Sequence, residues 1–143
     1  MPAITDHMSA DHRRCDELFS SAENHADAGQ WPEAISAWQQ FDEALQAHFG
    51  MEEQVLFPAF ESATGMTAGP TAVMRMEHQQ MRALLAEISE AAGNQERSAF
   101  LSGCETLMIM MQQHNMKEEQ ILYPMADRSL PDAGTTLQLM QSA

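Results

Sequence analysis

The chain has 143 residues, the size of one domain, and at that length about two-thirds of the surface exposed by the unfolded chain is buried. Seven Lys and Arg against 21 Asp and Glu give a net charge of -14, which repels a phosphate backbone and an anionic membrane surface, so neither nucleic acid nor membrane is an expected partner. The longest apolar run, Val55 to Phe60, is too short to span a bilayer, and Met1 to Ala10 lacks the cationic start of a secretion signal, so a soluble, cytoplasmic chain forming a single domain over residues 1–143 is expected.

Turn-forming clusters at Gly29-Gln30-Trp31-Pro32, from Thr64-Gly65 to Gly69-Pro70, and at Gly93-Asn94 divide the chain into four segments. In the first, Cys15, Leu18, Phe19 and Ala22 fall at helical spacing. The second opens with Pro32 in the first turn and carries Ile35, Trp38, Phe41, Leu45, His48, Glu52, Val55 and Leu56 in three- and four-residue steps. The third runs through Met74, His78, Met81, Leu85 and Ile88, and the fourth through Phe100, Leu107, Met111, His114, Glu118 and Leu122. No stretch alternates with period two. The pattern predicts an all-α, up-down-up-down four-helix bundle with helices near 6–28, 32–62, 70–92 and 95–127. Pro58 and Pro124 are expected to bend or end their helices, and the short tail, 128–143, to add a final helical turn or two from Pro131 on.

Shifting the sequence by 66 residues superposes His48-Phe-Gly-Met-Glu-Glu-Gln-Val-Leu-Phe-Pro58 on His114-Asn-Met-Lys-Glu-Glu-Gln-Ile-Leu-Tyr-Pro124, with six of eleven positions identical. The same shift puts His12 on His78, Met8 on Met74 and Asp11 on Glu77, so the chain reads as two copies of a helical hairpin. In an antiparallel bundle two residues share a height when the turn lies midway between them. The midpoints between successive His12, His48, His78 and His114 fall at 30, 63 and 96, each in or beside a predicted turn. One His from each helix therefore enters one layer, and Glu52 and Glu118, about one turn from His48 and His114, join it.

Four imidazoles and two carboxylates inside an apolar bundle are costly unless paired, and metal coordination pairs them. Two imidazoles per ion with both carboxylates bridging form a two-metal centre, whose nitrogen and oxygen donors suit iron or manganese better than structural zinc. Glu53 and Glu119 point roughly 100° away from the bridging carboxylates, either behind the ligands or into solvent. His7 and His25 have no counterparts under the shift and read as surface residues. The 13 methionines read as core filling, and Cys15 and Cys104 as buried thiols rather than a disulfide framework.

These motifs, Asp11-His12, His48-x-x-x-Glu52-Glu53 before Leu56-Phe57-Pro58, Glu77-His78, and His114-x-x-x-Glu118-Glu119 before Leu122-Tyr123-Pro124, resemble those of hemerythrin-like proteins of the HHE cation-binding type. The resemblance covers nearly all of Asp6 to Asp127. It implies a non-haem di-iron centre, oxo- or hydroxo-bridged, that meets dioxygen or a related small molecule such as nitric oxide or peroxide. Oxygen-carrying members supply a fifth His four residues before the third-helix His, where this chain has Met74. Their fourth-helix carboxylate is an Asp five residues after its His, where this chain offers Glu118 at four and Glu119 at five. The departure disfavours reversible oxygen carriage. Three functions remain: a binding or sensing protein; an enzyme of oxidative or nitrosative stress that reduces peroxide, oxygen or nitric oxide or repairs iron centres; and a plain helical interaction module.

Overall fold

A computed structural model describes residues 3–143; Met1 and Pro2, where the expected domain span begins, lie outside the described residues. Four long helical rods run up, down, up and down, as the hydrophobic spacing predicts. The first is α1, Ala3–Asp27. The second joins α2, Trp31–Met51, to α3, Phe57–Thr64, through a π-helical turn, Glu52–Leu56. The third is α4, Pro70–Gly93. The fourth joins α5, Arg97–Lys117, to α6, Tyr123–Ser129, through a second π turn, Glu118–Leu122. Among the described residues there is no strand, and no helix is long and apolar enough to cross a membrane.

The turns form where Gly, Pro and Asn cluster, and the two hairpin turns share one geometry. After α1, Gly29 takes a left-handed φ of 75° and the Gln30 amide donates back to the His25 carbonyl at 2.8 Å. After α4, Gln95 takes a left-handed φ of 54° and the Glu96 amide donates to the Ala91 carbonyl at 2.9 Å. Both close a helix by satisfying carbonyls that its last turn leaves open. Gln95 is the 66-residue counterpart of Gly29, so a side chain occupies a conformation that glycine adopts freely.

Two sequence expectations need correction. Pro58 and Pro124 do not end their rods, which continue to Thr64 and Ser129. Each follows a π turn in which the preceding amide, that of Phe57 or Tyr123, reaches back five residues to Glu52 or Glu118, so the rod absorbs the missing proline donor by widening one turn. The tail does form a helix, somewhat longer than a turn or two. Asp132 accepts from the Thr135 amide at 3.1 Å and caps α7, Ala133–Ser142, whose Met140 is fully buried. At the other end of the chain, Asp127 of α6 accepts from the amides of Ile4 and Thr5 at 2.9 and 3.0 Å, holding the first turn of α1 against the fourth rod.

Apolar side chains form two clusters separated along the bundle. One holds Phe19, Trp38, Phe41, Leu85, Ile88, Phe100 and Leu107 near the hairpin turns. The other holds Ile4, Met8, Leu56, Phe57, Phe60, Met74, Leu122, Tyr123 and Met140. Met8 and Met74 thus pack as core residues. Between the clusters lies the only buried charge among the described residues: His12, His48, Glu52, His78, His114 and Glu118.

Candidate metal centre

The six residues singled out by the repeat converge, each no more than 3% exposed. α1, α2, α4 and α5 contribute one His apiece, and the two Glu are the first residues of the two π turns. Their ligand atoms fall into two nests. Glu52, His78, His114 and Glu118 form one; His12, His48 and Glu118 form the other. Glu118 Oε1 lies 3.2 Å from His12 Nε2 and 3.3 Å from His114 Nε2, while Glu52 Oε1 lies 3.1 Å from His78 Nε2 and 3.7 Å from His48 Nε2. Each carboxylate therefore reaches one imidazole of either nest, the arrangement a bridging ligand requires. His7 and His25 stay outside; His25 pairs with Gln30 at the surface.

Every imidazole is oriented from behind by a carboxylate on its Nδ1. His12 pairs with Glu119 at 2.6 Å, His48 with Asp11 at 2.8 Å, His78 with Glu53 at 2.7 Å and His114 with Glu77 at 2.8 Å. A carboxylate accepts only, so Nδ1 carries the hydrogen and the Nε2 lone pair faces inward, as a metal-binding imidazole needs. The alternatives left open for Glu53 and Glu119 thus resolve as positions behind the imidazoles. Asp11 and Glu77, adjacent in sequence to His12 and His78, instead cross the bundle to His48 and His114.

The charges follow from these contacts. Burial alone would raise the Asp11 carboxyl, but His48 and Arg14 bring it down to about 2. Glu53 and Glu77 are also lowered, burial being outweighed by Arg82 and His78 at one and by Lys117 and His114 at the other. Burial pushes His78 down to about 4 and lowers His48, whereas at His12 and His114 it is outweighed by Glu118 and both are raised. Burial and the neighbouring Glu118 charge hold Glu52 well above the carboxylate range, while Glu118, held by its hydrogen bond with Glu52 and by His114, lies below it despite its own burial. Burial raises both thiols, Cys15 and Cys104, to about 12, leaving each inert.

Tyr123 enters this layer unannounced by the sequence spacing. Its hydroxyl lies 2.7 Å from Glu52 Oε2 and 2.9 Å from Glu118 Oε1, so one phenol proton is shared between two carboxylates. A residue five positions beyond Glu118 on a regular α-helix points about 140° away. The π turn, closing at five residues, swings it back over the same face.

Among the described residues, four buried side-chain atoms have no hydrogen-bond partner: Glu52 Oε1, His78 Nε2, His114 Nε2 and Glu118 Oε2. All four are lone-pair atoms of one nest. Uncompensated, they would cost about 1–3 kcal/mol each; a cation among them satisfies all four at once, so the residues present fit a metal.

The sequence carries the same signature, matching the hemerythrin HHE cation binding domain over residues 3–126. This protein belongs to that family. An uncharacterised hemerythrin-like protein of Schizosaccharomyces pombe is 31% identical over 133 residues, covering 92% of this chain and 63% of its own length. Iron-sulfur cluster repair proteins named YtfE, from Escherichia coli and Escherichia fergusonii, are 30% identical over 112 residues, covering 71% of this chain and 51% of theirs. The hemerythrin-like chain thus spans between half and two-thirds of the length of these curated relatives. No solved structure matches it.

Proposed function

We propose that this hemerythrin-like chain holds two iron ions, one bound by His12 and His48, the other by His78 and His114, with Glu52 and Glu118 bridging, and that the centre binds or senses dioxygen, nitric oxide or peroxide. The observation that carries the reading is the set of four unpartnered lone-pair atoms in one nest beside a second pair of inward-facing imidazoles. Manganese satisfies the same donors; the names of the YtfE relatives favour iron. Iron bound there would supply reversible one-electron chemistry and positions open to a small ligand.

The chain's own groups prepare the site. Glu119, Asp11, Glu53 and Glu77 hold the Nδ1 hydrogens and keep each Nε2 aimed inward. The two apolar clusters on either side exclude bulk water. Tyr123 brings its hydroxyl within hydrogen-bonding distance of both carboxylates. A second reading, repair of iron centres, is favoured by the same relatives.

Metal analysis and the optical spectrum of anaerobically reduced protein, before and after addition of oxygen or nitric oxide, test the proposal. Two iron equivalents and a ligand-dependent band are expected; a chain that binds no iron overturns it. Chelation should lower the melting temperature, because metal held only by the folded state stabilises that state. Restoration of an apo iron-sulfur protein by the iron-loaded chain would select the repair reading over sensing.

A further inference from the structure

The two nests are counterparts in the sequence repeat, and within the layer itself they differ by one oxygen atom. Under the 66-residue shift Tyr123 corresponds to Phe57. The two rings take matching positions: Tyr123 stacks on His12 with centroids 5.7 Å apart and planes at 29°, and Phe57 stacks on His78 at 5.6 Å and 23°. Only Tyr123 carries a hydroxyl into the layer. That oxygen lies 3.3 Å from His12 Nε2, 3.3 Å from His48 Nε2, 2.7 Å from Glu52 Oε2 and 2.9 Å from Glu118 Oε1. On the Phe57 side, where there is no hydroxyl, His78 Nε2 and His114 Nε2 have no hydrogen-bond partner.

The four distances carry a coordination argument. Two ligands about 2.1 Å from one ion and at right angles are roughly 3 Å apart. Tyr123 Oη stands at about that separation from every donor of the His12/His48 nest at once, as a further vertex of the same polyhedron would. We infer that Tyr123 is a fifth protein ligand to the ion bound by His12 and His48, so that this ion has one open position fewer than the ion at His78 and His114, which is the one that takes the small molecule. Coordination breaks the phenol O–H bond, forms one oxygen–iron bond and passes the proton to water, with no change in oxidation state. The inference rests on the two-iron reading and assigns its two ions different roles.

This is the chain's single tyrosine, so any iron-phenolate signal belongs to Tyr123. The test is the visible and resonance Raman spectrum of the wild-type ferric protein, with iron counted on the same sample. A phenolate-to-iron charge-transfer band with enhanced tyrosinate ring vibrations is expected. Tyr123→Phe should abolish the band while iron remains bound. Phe57→Tyr, which puts a hydroxyl at the matching position, should intensify the band and weaken azide binding at the more open ion. Two bound irons in the wild type with no phenolate band overturn this inference alone and leave the two-iron reading standing. A band that survives Tyr123→Phe overturns it too. Failure to bind iron at all overturns both.

Discussion

The flanks behind His78 and His12 are counterparts in the 66-residue repeat, yet they hold their imidazoles by different means. Behind His78, Glu53 is gripped by Arg82, whose two terminal nitrogens lie 2.8 Å from the two carboxylate oxygens. Behind His12, Glu119 receives no Lys or Arg among the described residues, and the counterpart of Arg82 is Asp16, whose carboxyl, though exposed, is raised by partial desolvation and by the nearby Glu119 charge. Glu119 is also the more open side chain, 37% exposed against 22% for Glu53. A bidentate guanidinium fixes a carboxylate in direction as well as charge, so His78 is rigidly presented and His12 is not. The repeat presents the imidazoles and carboxylates twice, and the residues behind them differ between the two ends.

The largest expected effect falls where the halves remain alike. Glu52 and Glu118 each touch both nests, so Glu52→Ala and Glu118→Ala should each disturb both ions in metal analysis. A variant that lost only one ion would show the carboxylates to be private rather than shared.

Next come the flanks themselves. Arg82→Ala should loosen Glu53 and weaken metal retention at His78 by roughly 10- to 100-fold, as loss of an outer hydrogen-bonding partner does. Asp16→Arg should give His12 the clamp it lacks and slow metal loss from that side. Chelator competition reads both; equal release rates in wild type and Arg82→Ala would erase the contrast.

The hairpin turns differ by a smaller amount. Gln95 holds the left-handed conformation that Gly29 holds in the first half, at a cost of roughly 1 kcal/mol for a residue with a side chain. Gln95→Gly should stabilise the fold by about that much in urea unfolding, and Gly29→Gln should destabilise it by a similar amount.

Acid should act in opposite directions on the two flanks of the apo protein. The Glu53 carboxyl is lowered in the fold, so the stability it contributes is full above its ordinary value of 4.5 and is lost as pH falls through the lowered one. The Asp16 carboxyl is raised above 3.8, so its ionised form destabilises the fold above that range and the penalty disappears as pH falls. Glu53→Gln should therefore cost stability at neutral pH and little in acid. Asp16→Asn, at an exposed position, should gain a fraction of 1 kcal/mol at neutral pH only. Melting curves at two pH values distinguish the two.

Much of this architecture is legible in the sequence. The rods, the turns and the convergence of His12, His48, Glu52, His78, His114 and Glu118 follow from spacing, because a helix has one period and a hairpin one midpoint. The crossing of Asp11 to His48 and of Glu77 to His114 is not legible, since it depends on how far each helix is rotated about its axis. Tyr123 is hidden for a sharper reason: its place in the layer exists only because a π turn breaks the period used to read the sequence. α7 has too few apolar residues to mark it as a helix until Met140 is seen filling the cluster above the site.

The two π turns carry a historical implication. Each is an α-helical rod with one residue too many, and both fall in the same place in the repeat, over Glu52–Leu56 and Glu118–Leu122, in the related strings Glu-Glu-Gln-Val-Leu and Glu-Glu-Gln-Ile-Leu. One insertion inherited by both copies explains this with fewer events than two insertions at matching sites. On that account the ancestral hairpin already had the widened turn when it existed as a single copy, and two such hairpins assembled face to face would have enclosed four imidazoles and two carboxylates. Such an ancestor would have had two phenols or none at the layer. Two copies of residues 1–66, or of 67–132, joined in one chain would recreate those alternatives; spectra from both fusions matching the natural protein would count against the account.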